Sequence, residues 1–306
     1  MAGADTKVRA RAIISVHASL HGTLVLLMPR AVLIAFLISL TGCSPSEEQP
    51  VGSPVQVTLP SDKAQAKSRD EFTIVIAADP WCPHNCLTGS AREGYSIDMA
   101  REVFAAAGYD IEYLNVSWAR AIQLAREGRI DAVAGAFTGD APDFVFPQEP
   151  IGLSQTNLYT NAASQWKYQG IGSLKGQTLL AINGYSYSPE LDAYIERNLN
   201  DPNYVWILSG PAPLDRAISL LDQRRADVFV EDELVMNWAL QTQSNLPPPR
   251  NAGKFYQAPV FIAFSPTNPK AEELAKVLSD GTRELRQSGR LSEIMASYGL
   301  PLLSVD

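Results

Sequence analysis

The segment from 94 to 138 constrains the fold more than any other part of the chain, because helical and strand patterns alternate along it. Apolar residues recur at three- and four-residue steps over 97–107, and Gly108 follows where a helix C-terminal glycine is expected. A second helical pattern covers 118–128, and the apolar run at 130–137 has the length of a strand covered on both faces. This order predicts an α/β layer built on a parallel sheet.

The same alternation continues on both sides of this segment. Ser188, Pro189 and Glu190 predict a helix start, because a capping hydroxyl is followed by a proline and by an acid in the first turn. Strands are predicted at 72–78, 178–182 and 226–232, and further helices at 213–224, 269–287 and 290–298.

Composition places the chain among globular proteins. Of its 306 residues, 46% are hydrophobic and 19% are charged, and the length suffices for two lobes. The formal net charge is −8, and because residues 1–42 carry +3, the remainder stands at −11. This negative charge argues against nucleic acid as a partner, because the phosphate backbone would be repelled.

The N-terminus has the pattern of a bacterial export signal. A ten-residue run at 31–40, apolar except for Ser39, follows Arg30. This run is too short to cross a bilayer as a helix, but it fits the core of a signal peptide over 1–42. It leads into a Leu-Thr-Gly-Cys sequence that resembles the lipobox of bacterial lipoproteins, whose cysteine is acylated and becomes the first mature residue. Cys43 is therefore predicted to carry lipid, the alternative being a chance cysteine after a buried helix.

Two further features bear on the mature protein. Met28 is an alternative start, because the sequence from this methionine gives a compact signal peptide by itself. Residues 43–70 are rich in Ser, Pro, Glu, Gln and Lys with little apolar content, which predicts a flexible tether. In bacterial lipoproteins the cysteine is diacylated and the new N-terminus is acylated, and these three acyl chains exceed the two membrane-binding signals needed for stable anchoring. The expected location is therefore the periplasmic side of a bacterial membrane.

Cys82 and Cys86 are the two cysteines that remain beyond the predicted lipid anchor. An even pair in an oxidising compartment favours a disulfide. Free or metal-binding thiols are the alternative, since His84 lies between them, although these three residues leave a zinc site one ligand short. We therefore expect a disulfide and no metal.

Several motifs occur in a characteristic order along the chain. They are Gly-Tyr-Ser-Ile-Asp at 94–98, the tryptophan-led helix at 118–128, Ile-Asp-Ala at 130–132, Leu-Lys-Gly at 174–176 and Tyr-Gly at 298–299. Together they resemble the extracytoplasmic solute-binding proteins of the polar amino-acid type, bacterial family 3. The resemblance implies a two-lobed periplasmic-binding-protein-like fold of type II, with two α/β lobes joined by a two-segment hinge. Lobe 1 would comprise 71–160 and 258–306, and lobe 2 would comprise 161–257.

Two groups of residues are expected to face a ligand between the lobes. Trp81 follows the first strand at its carboxyl end, where ligands gather in open α/β sheets, unless it is an aromatic plug under the cysteine loop. Gly184, Tyr185 and Ser186 form a glycine loop that leads to a helix N-terminus, with backbone N–H groups free for an anion; the alternative is an ordinary turn.

The resemblance also assigns a second-lobe acid and a first-lobe clamp. Asp232 matches the aspartate that holds the amino group of amino-acid ligands, with Glu231 in reserve; the alternative is an acid favoured by the dipole of the following helix. Thr138 matches the threonine of the family's T-x-x-x-R motif and is a further candidate ligand residue. The arginine of that motif is missing, however, because 142–144 reads Pro-Asp-Phe. Arg120 is a candidate replacement for this carboxylate clamp, or else an exposed helical arginine.

The resemblance thus implies a monomeric, lipid-anchored periplasmic protein that captures an amino-acid-like or amine solute for an ABC importer, with no enzymatic activity and no cofactor. Two other interpretations remain. One is a sensor or accessory lipoprotein without a transporter, suggested by the missing arginine. The other is a periplasmic dehydratase-like enzyme on the same fold, with Glu231 or Asp232 as its acid.

Overall fold

The structure is a computed structural model, and it describes residues 72–210, 212–242 and 247–301. The predicted signal peptide, the lipidation site at Cys43 and the tether lie outside the described residues. No helix within the described ranges is long and apolar enough to cross a membrane.

Strands and helices alternate through the first half of the described chain, as the sequence predicts. The first group comprises β1 (Thr73–Ala78), α1 (Tyr95–Ala106), β2 (Asp110–Asn115), α2 (Trp118–Arg126) and β3 (Ala132–Ala136). The next comprises β4 (Gly152–Thr160), a short 3-10 helix (Ile171–Leu174), β5 (Leu179–Ile182), α3 (Pro189–Asn198), β6 (Val205–Leu208), α4 (Pro213–Asp222) and β7 (Val228–Asp232). The last comprises α5 (Glu233–Thr242), β8 (Arg250–Phe264), α6 (Ala271–Gln287) and α7 (Arg290–Ser297).

The strands form one curled sheet in the order β2-β1-β3-β8-β4-β7-β5-β6. At one end, β1 pairs in parallel with β2 and β3; at the other, β5 pairs in parallel with β6 and β7. The centre is antiparallel, because β8 pairs with both β3 and β4, and β4 with β7. The parallel sheet predicted from residues 94–138 is therefore confirmed. The antiparallel centre, where the two long strands run between the lobes, was not predicted.

These central strands are the two-segment hinge. β4 pairs with β8 along its whole length, from Gly152 opposite Val260 to Thr160 opposite Arg250. The C-terminal end of β8 then continues onto β3. The lobes are thus built from β1–β3 with α1, α2, α6 and α7 on one side, and from β5–β7 with α3–α5 on the other. Their residue bounds stay a prediction.

Strand alternation explains how helices cover both faces of the first lobe. Ile74 and Ile76 of β1 pack on one face, in a core with residues of α1, α6 and α7. Val75 and Ala77 point to the opposite face, where α2 supplies the apolar residues Trp118, Ala121, Ile122 and Ala125. The second lobe repeats this arrangement, with alternate residues of β5 meeting α3 on one face and α4 on the other. In each lobe, the strands are therefore packed between helices on both faces.

The strands β4, β6 and β8 and the short 3-10 helix were not among the predicted elements. β6 was missed because its four residues, Val205–Leu208, give too short a pattern. β8 begins at Arg250 because pairing with β4 extends the strand through a polar stretch. The helix start at Ser188 is confirmed: its hydroxyl accepts a hydrogen bond from the Leu191 amide at 3.2 Å.

Candidate ligand site between the lobes

The loop that follows β1 shapes the first-lobe side of the cleft. Cys82 and Cys86 form a disulfide, and the Trp81 amide donates to the Asn85 carbonyl at 2.6 Å, which closes the loop on itself. Gly94 lies against this loop with φ +108°; a Cβ there would approach the Asn85 Cα to 2.4 Å, so only glycine fits. Gly94 therefore allows the loop to pack directly against the start of α1.

A small cavity lies where this loop meets the second lobe, and we call it the interlobe cavity. It has a volume of about 30 Å³, room for about two waters. Its walls combine acidic, amide and aromatic side chains, and none of the ten residues that line it is basic. They are Asp79, Trp81, Asn85, Trp118, Ala134, Gly135, Phe137, Asp140, Tyr185 and Ser186.

Hydrogen bonds cross between the lobes next to this cavity. The Tyr185 hydroxyl of the second lobe donates to Asp79 Oδ2 of the first at 2.5 Å. In the opposite direction, Trp81 Nε1 donates to Glu231 Oε1 at 3.0 Å, and that oxygen also accepts from the Asp232 amide. Gly184 adds a packing contact, because a Cβ at this position would lie 3.1 Å from the Ala119 Cβ of α2. The cleft is therefore closed in this structure.

Burial makes the acids of the cleft hard to ionise. It raises the pKa of Asp79 to about 6, against which the Tyr185 hydroxyl favours the charged form. Burial likewise raises the pKa of Asp140 to about 6 and that of Glu231 to about 8. The Ser186 side chain and the Phe137 amide favour the charged form of Asp140, and the charge of Asp192 opposes it. The charges of Asp232 and Asp79 add to the rise at Glu231. At pH 7, Glu231 is therefore largely protonated, whereas Asp79 and Asp140 are largely ionised.

Two buried oxygen atoms at the interlobe cavity lack a hydrogen-bond partner among the described residues. They are Asn85 Oδ1 and Asp140 Oδ1. The other oxygen of Asp140 accepts from the Phe137 amide at 2.8 Å, and the Asn85 amide group donates to the Asp79 carbonyl at 2.7 Å. Because a buried acceptor without a donor costs free energy, these two atoms mark where a donor-bearing group is missing.

A second polar group, which we call the hinge cluster, lies behind Trp81. His84 Nε2 is 3.2 Å from Asp232 Oδ1, and His84 Nδ1 is 2.7 Å from the Tyr95 hydroxyl. Asp232 Oδ1 also accepts from the Val235 amide, capping the first turn of α5, and Asp232 Oδ2 accepts from the Ser154 hydroxyl at 2.6 Å. The cluster joins the loop after β1 and helix α1 to the second-lobe strand β7 through β4.

The structure brings some of the sequence-predicted ligand residues together and separates others. Trp81, Tyr185 and Ser186 line the interlobe cavity, and Gly184 lies beside it. Arg120 is half-buried and Thr138 is exposed, and neither is among the residues that line the cavity. Asp232 belongs instead to the hinge cluster, where it is 2% exposed.

Sequence reasoning did not assign a role at the site to Asp79, Asn85, Phe137 or Asp140. Two of these were within reach, because Asp79 follows β1 and Phe137 follows β3, and ligands gather at the carboxyl ends of parallel strands. Asn85 and Asp140 lie in turns whose geometry no sequence pattern indicated. No group of three or more His, Cys, Asp or Glu side chains placed to hold a metal ion occurs within the described ranges.

Comparison with solved structures identifies the fold. A mutant of ArgBP from T. maritima shares 17% identity, with 74% of this chain and 95% of that chain covered and a TM-score of 0.61. A structure on glutathione import via GshT and the cystine ABC importer TcyBC of Streptococcus mutans shares 18%, covering 76% and 97%, with a TM-score of 0.62. A histidine kinase sensor domain with similarity to periplasmic binding proteins shares 18% identity, with 74% of this chain and 95% of that chain covered and a TM-score of 0.61.

No curated protein sequence matches the chain. The model of one protein family does match, over residues 74–301, which include every strand and helix of both lobes except the first residue of β1. That family consists of solute-binding proteins and not of enzymes. The match, the two-lobed fold and the cleft between the lobes agree, and this chain belongs to the bacterial extracellular solute-binding proteins, family 3.

Proposed function

We propose that this protein is a lipid-anchored solute-binding protein that captures a small polar solute, amino-acid-like or amine, between its lobes and delivers it to an ABC importer. The observation that carries the proposal is the interlobe cavity, which both lobes line and which cross-lobe hydrogen bonds close. A solute that contacts both lobes favours the closed state by its differential affinity for that state. Binding alone then suffices, without chemistry on the solute.

Two further observations support this role. The cavity has polar groups convergent on a partly aromatic pocket, as small-molecule sites do. Among the similar structures, one concerns import through an ABC importer, which supports such an importer as the partner. The likeness to a histidine kinase sensor domain supports a second candidate, a receptor that reports its solute to a sensor and not to an importer.

Binding is tested on the chain from residue 44, which contains every described element, after removal of any co-purified solute. Its melting temperature is measured against amino acids, amines, peptides, sugars and cyclic acids. A solute at about 100 times its dissociation constant adds roughly 2.7 kcal/mol to the stability, so we expect one chemical class to raise the melting temperature. Folded protein that responds to none of these classes contradicts the proposal.

Anchoring is tested separately on the full-length protein. Cys43 supplies the thiol for lipidation, so the unchanged protein is expected in the membrane fraction and the Cys43→Ser variant outside it. Equal membrane retention of the two proteins would remove the anchor from the proposal while leaving solute binding untouched.

A further inference from the structure

The polar character of the interlobe cavity indicates the charge of its ligand. Asp79 and Asp140 line it, no residue that lines it is basic, and Glu231 lies directly behind Trp81. An anionic group placed here would meet carboxyl groups without a compensating cation, which is costly in a buried site. A cation placed here would instead meet carboxyl and amide oxygens.

Two unpaired oxygen atoms at the cavity indicate that the ligand group is also a hydrogen-bond donor. Asn85 Oδ1 and Asp140 Oδ1 are buried without hydrogen-bond partners within the described part of the chain, and both residues line the cavity. Gly135 makes the position of the first possible, since a Cβ there would lie 3.0 Å from Asn85 Oδ1. An ammonium group has three donors and no acceptor, so it can satisfy both oxygens and still bond Asp79.

The aromatic walls suit the same group. The Trp81 ring is stacked on His84 at 4.1 Å and meets the edge of Phe137 at 6.2 Å, so both rings are held in place. Tyr185 lines the cavity from the second lobe. Aromatic faces attract an ammonium group, more strongly where water is excluded. The cavity volume of about 30 Å³ accommodates a primary ammonium more readily than a larger trimethylammonium.

From these contacts we propose that the interlobe cavity is a specificity site for the primary ammonium group of an alkylamine or diamine that has no carboxylate. The inference rests on the proposed solute-binding function and narrows its ligand class. Asp140 lies two residues after Thr138, in the loop where the carboxylate-binding arginine of the resemblance is missing. In this loop a negatively charged residue, Asp140, is present where the resemblance implies a positively charged one, which favours binding of a cation over binding of an anion.

Matched pairs of probes isolate the effect of the carboxylate. Cadaverine differs from lysine, and putrescine from ornithine, by the α-carboxylate alone. Isothermal titration of the unliganded chain from residue 44 with these four compounds at pH 7.5 is expected to give a dissociation constant at least about tenfold lower for each amine than for its amino acid. Equal or tighter binding of the amino acids overturns the inference, and so does the absence of binding by both amines.

Variants then locate the ammonium group. Asp140→Asn keeps an oxygen for the Phe137 amide, so the fold is retained, and it should weaken cadaverine binding at least about tenfold. Asp143→Asn is the matched control, because Asp143 is exposed and bonds Arg126 on the surface at 2.8 Å; it should leave binding unchanged. Unchanged binding by Asp140→Asn, or equal loss in both variants, overturns the placement.

The outcomes also separate this inference from the proposed function. If lysine or an uncharged solute binds tightly while both amines do not, the protein is still a solute-binding protein and the inference is wrong. If no solute in any class binds the folded protein, the proposed function itself fails.

Discussion

The interlobe cavity and the hinge cluster are neighbouring acidic sites, and they differ in how far their hydrogen bonds are satisfied. Asp232 has a partner on each carboxylate oxygen, and His84 has one on each ring nitrogen. At the cavity, Asp140 Oδ1 and Asn85 Oδ1 have none within the described ranges. The hinge cluster, whose hydrogen bonds are satisfied, stabilises the contact between the lobes and the start of α5. The cavity has buried acceptors without donors, and a bound ligand can supply these donors. We therefore place ligand binding at the interlobe cavity and not at the hinge cluster.

The largest expected effect comes from breaking the hinge cluster. Asp232→Ala removes the partner of His84 and of Ser154 together with the cap of α5, so the free energy of unfolding is expected to fall by about 3 kcal/mol. Urea denaturation measures this loss, and Asp143→Ala is the control, with an expected change below about 1 kcal/mol. A stable variant that has lost solute binding would instead return Asp232 to the ligand role that the sequence resemblance implies.

A smaller effect is expected from pH. The pKa values of Asp79 and Asp140, about 6, and of Glu231, about 8, lie above those of the unfolded chain, so the folded protein binds more protons over this range. Their contribution to stability is complete below pH 4 and is lost as pH rises through the folded pKa values. The acids whose pKa is lowered, such as Glu93 and Glu149, are already ionised above pH 5.

Between pH 6.5 and pH 8, the unliganded protein should therefore lose about 2 kcal/mol of stability, measured by urea denaturation at the two pH values. Glu231→Gln keeps a carbonyl oxygen for Trp81 and removes one titrating group, so it should flatten this dependence. Stability that rises over the same range would show that burial does not raise the pKa of Glu231.

The smallest effect tests the residues that the structure leaves outside the cavity. Arg120→Ala and Thr138→Ala are expected to change stability by less than about 0.5 kcal/mol, because neither residue is buried or lines the cavity. Solute affinity should change less than about twofold. A large loss of affinity in Arg120→Ala, measured by titration with the solute found, would restore this arginine as a clamp and contradict the cation site.

The fold was largely predictable because local patterns and motif order agree with it. The helix from Tyr95 and the strand after Gly128 follow from the spacing of apolar residues, and the hinge from the family resemblance. The antiparallel pairing at the centre of the sheet could not be predicted, because β4 and β8 lie about 100 residues apart in the sequence and their pairing leaves no local pattern.

The site was predictable only in part, for a physical reason. Trp81, Tyr185 and Ser186 follow strands whose carboxyl ends were identifiable, and they do line the cavity. Which of two adjacent acids faces which site depends on strand register and on side-chain partners across the hinge. The resemblance favoured Asp232, whereas the alternation along β7 places Glu231 beside Trp81 and Asp232 beside His84.

The central claim, that a cation satisfies the incomplete site, is tested most directly by counting protons during binding. Cadaverine is titrated at pH 6 in two buffers that differ in enthalpy of ionisation, which gives the number of protons exchanged for each ligand bound. An ammonium group beside Asp79 and Asp140 lowers their pKa values, so we expect a release of about 0.5 to 1 proton. Proton uptake, or binding without exchange, would contradict the account.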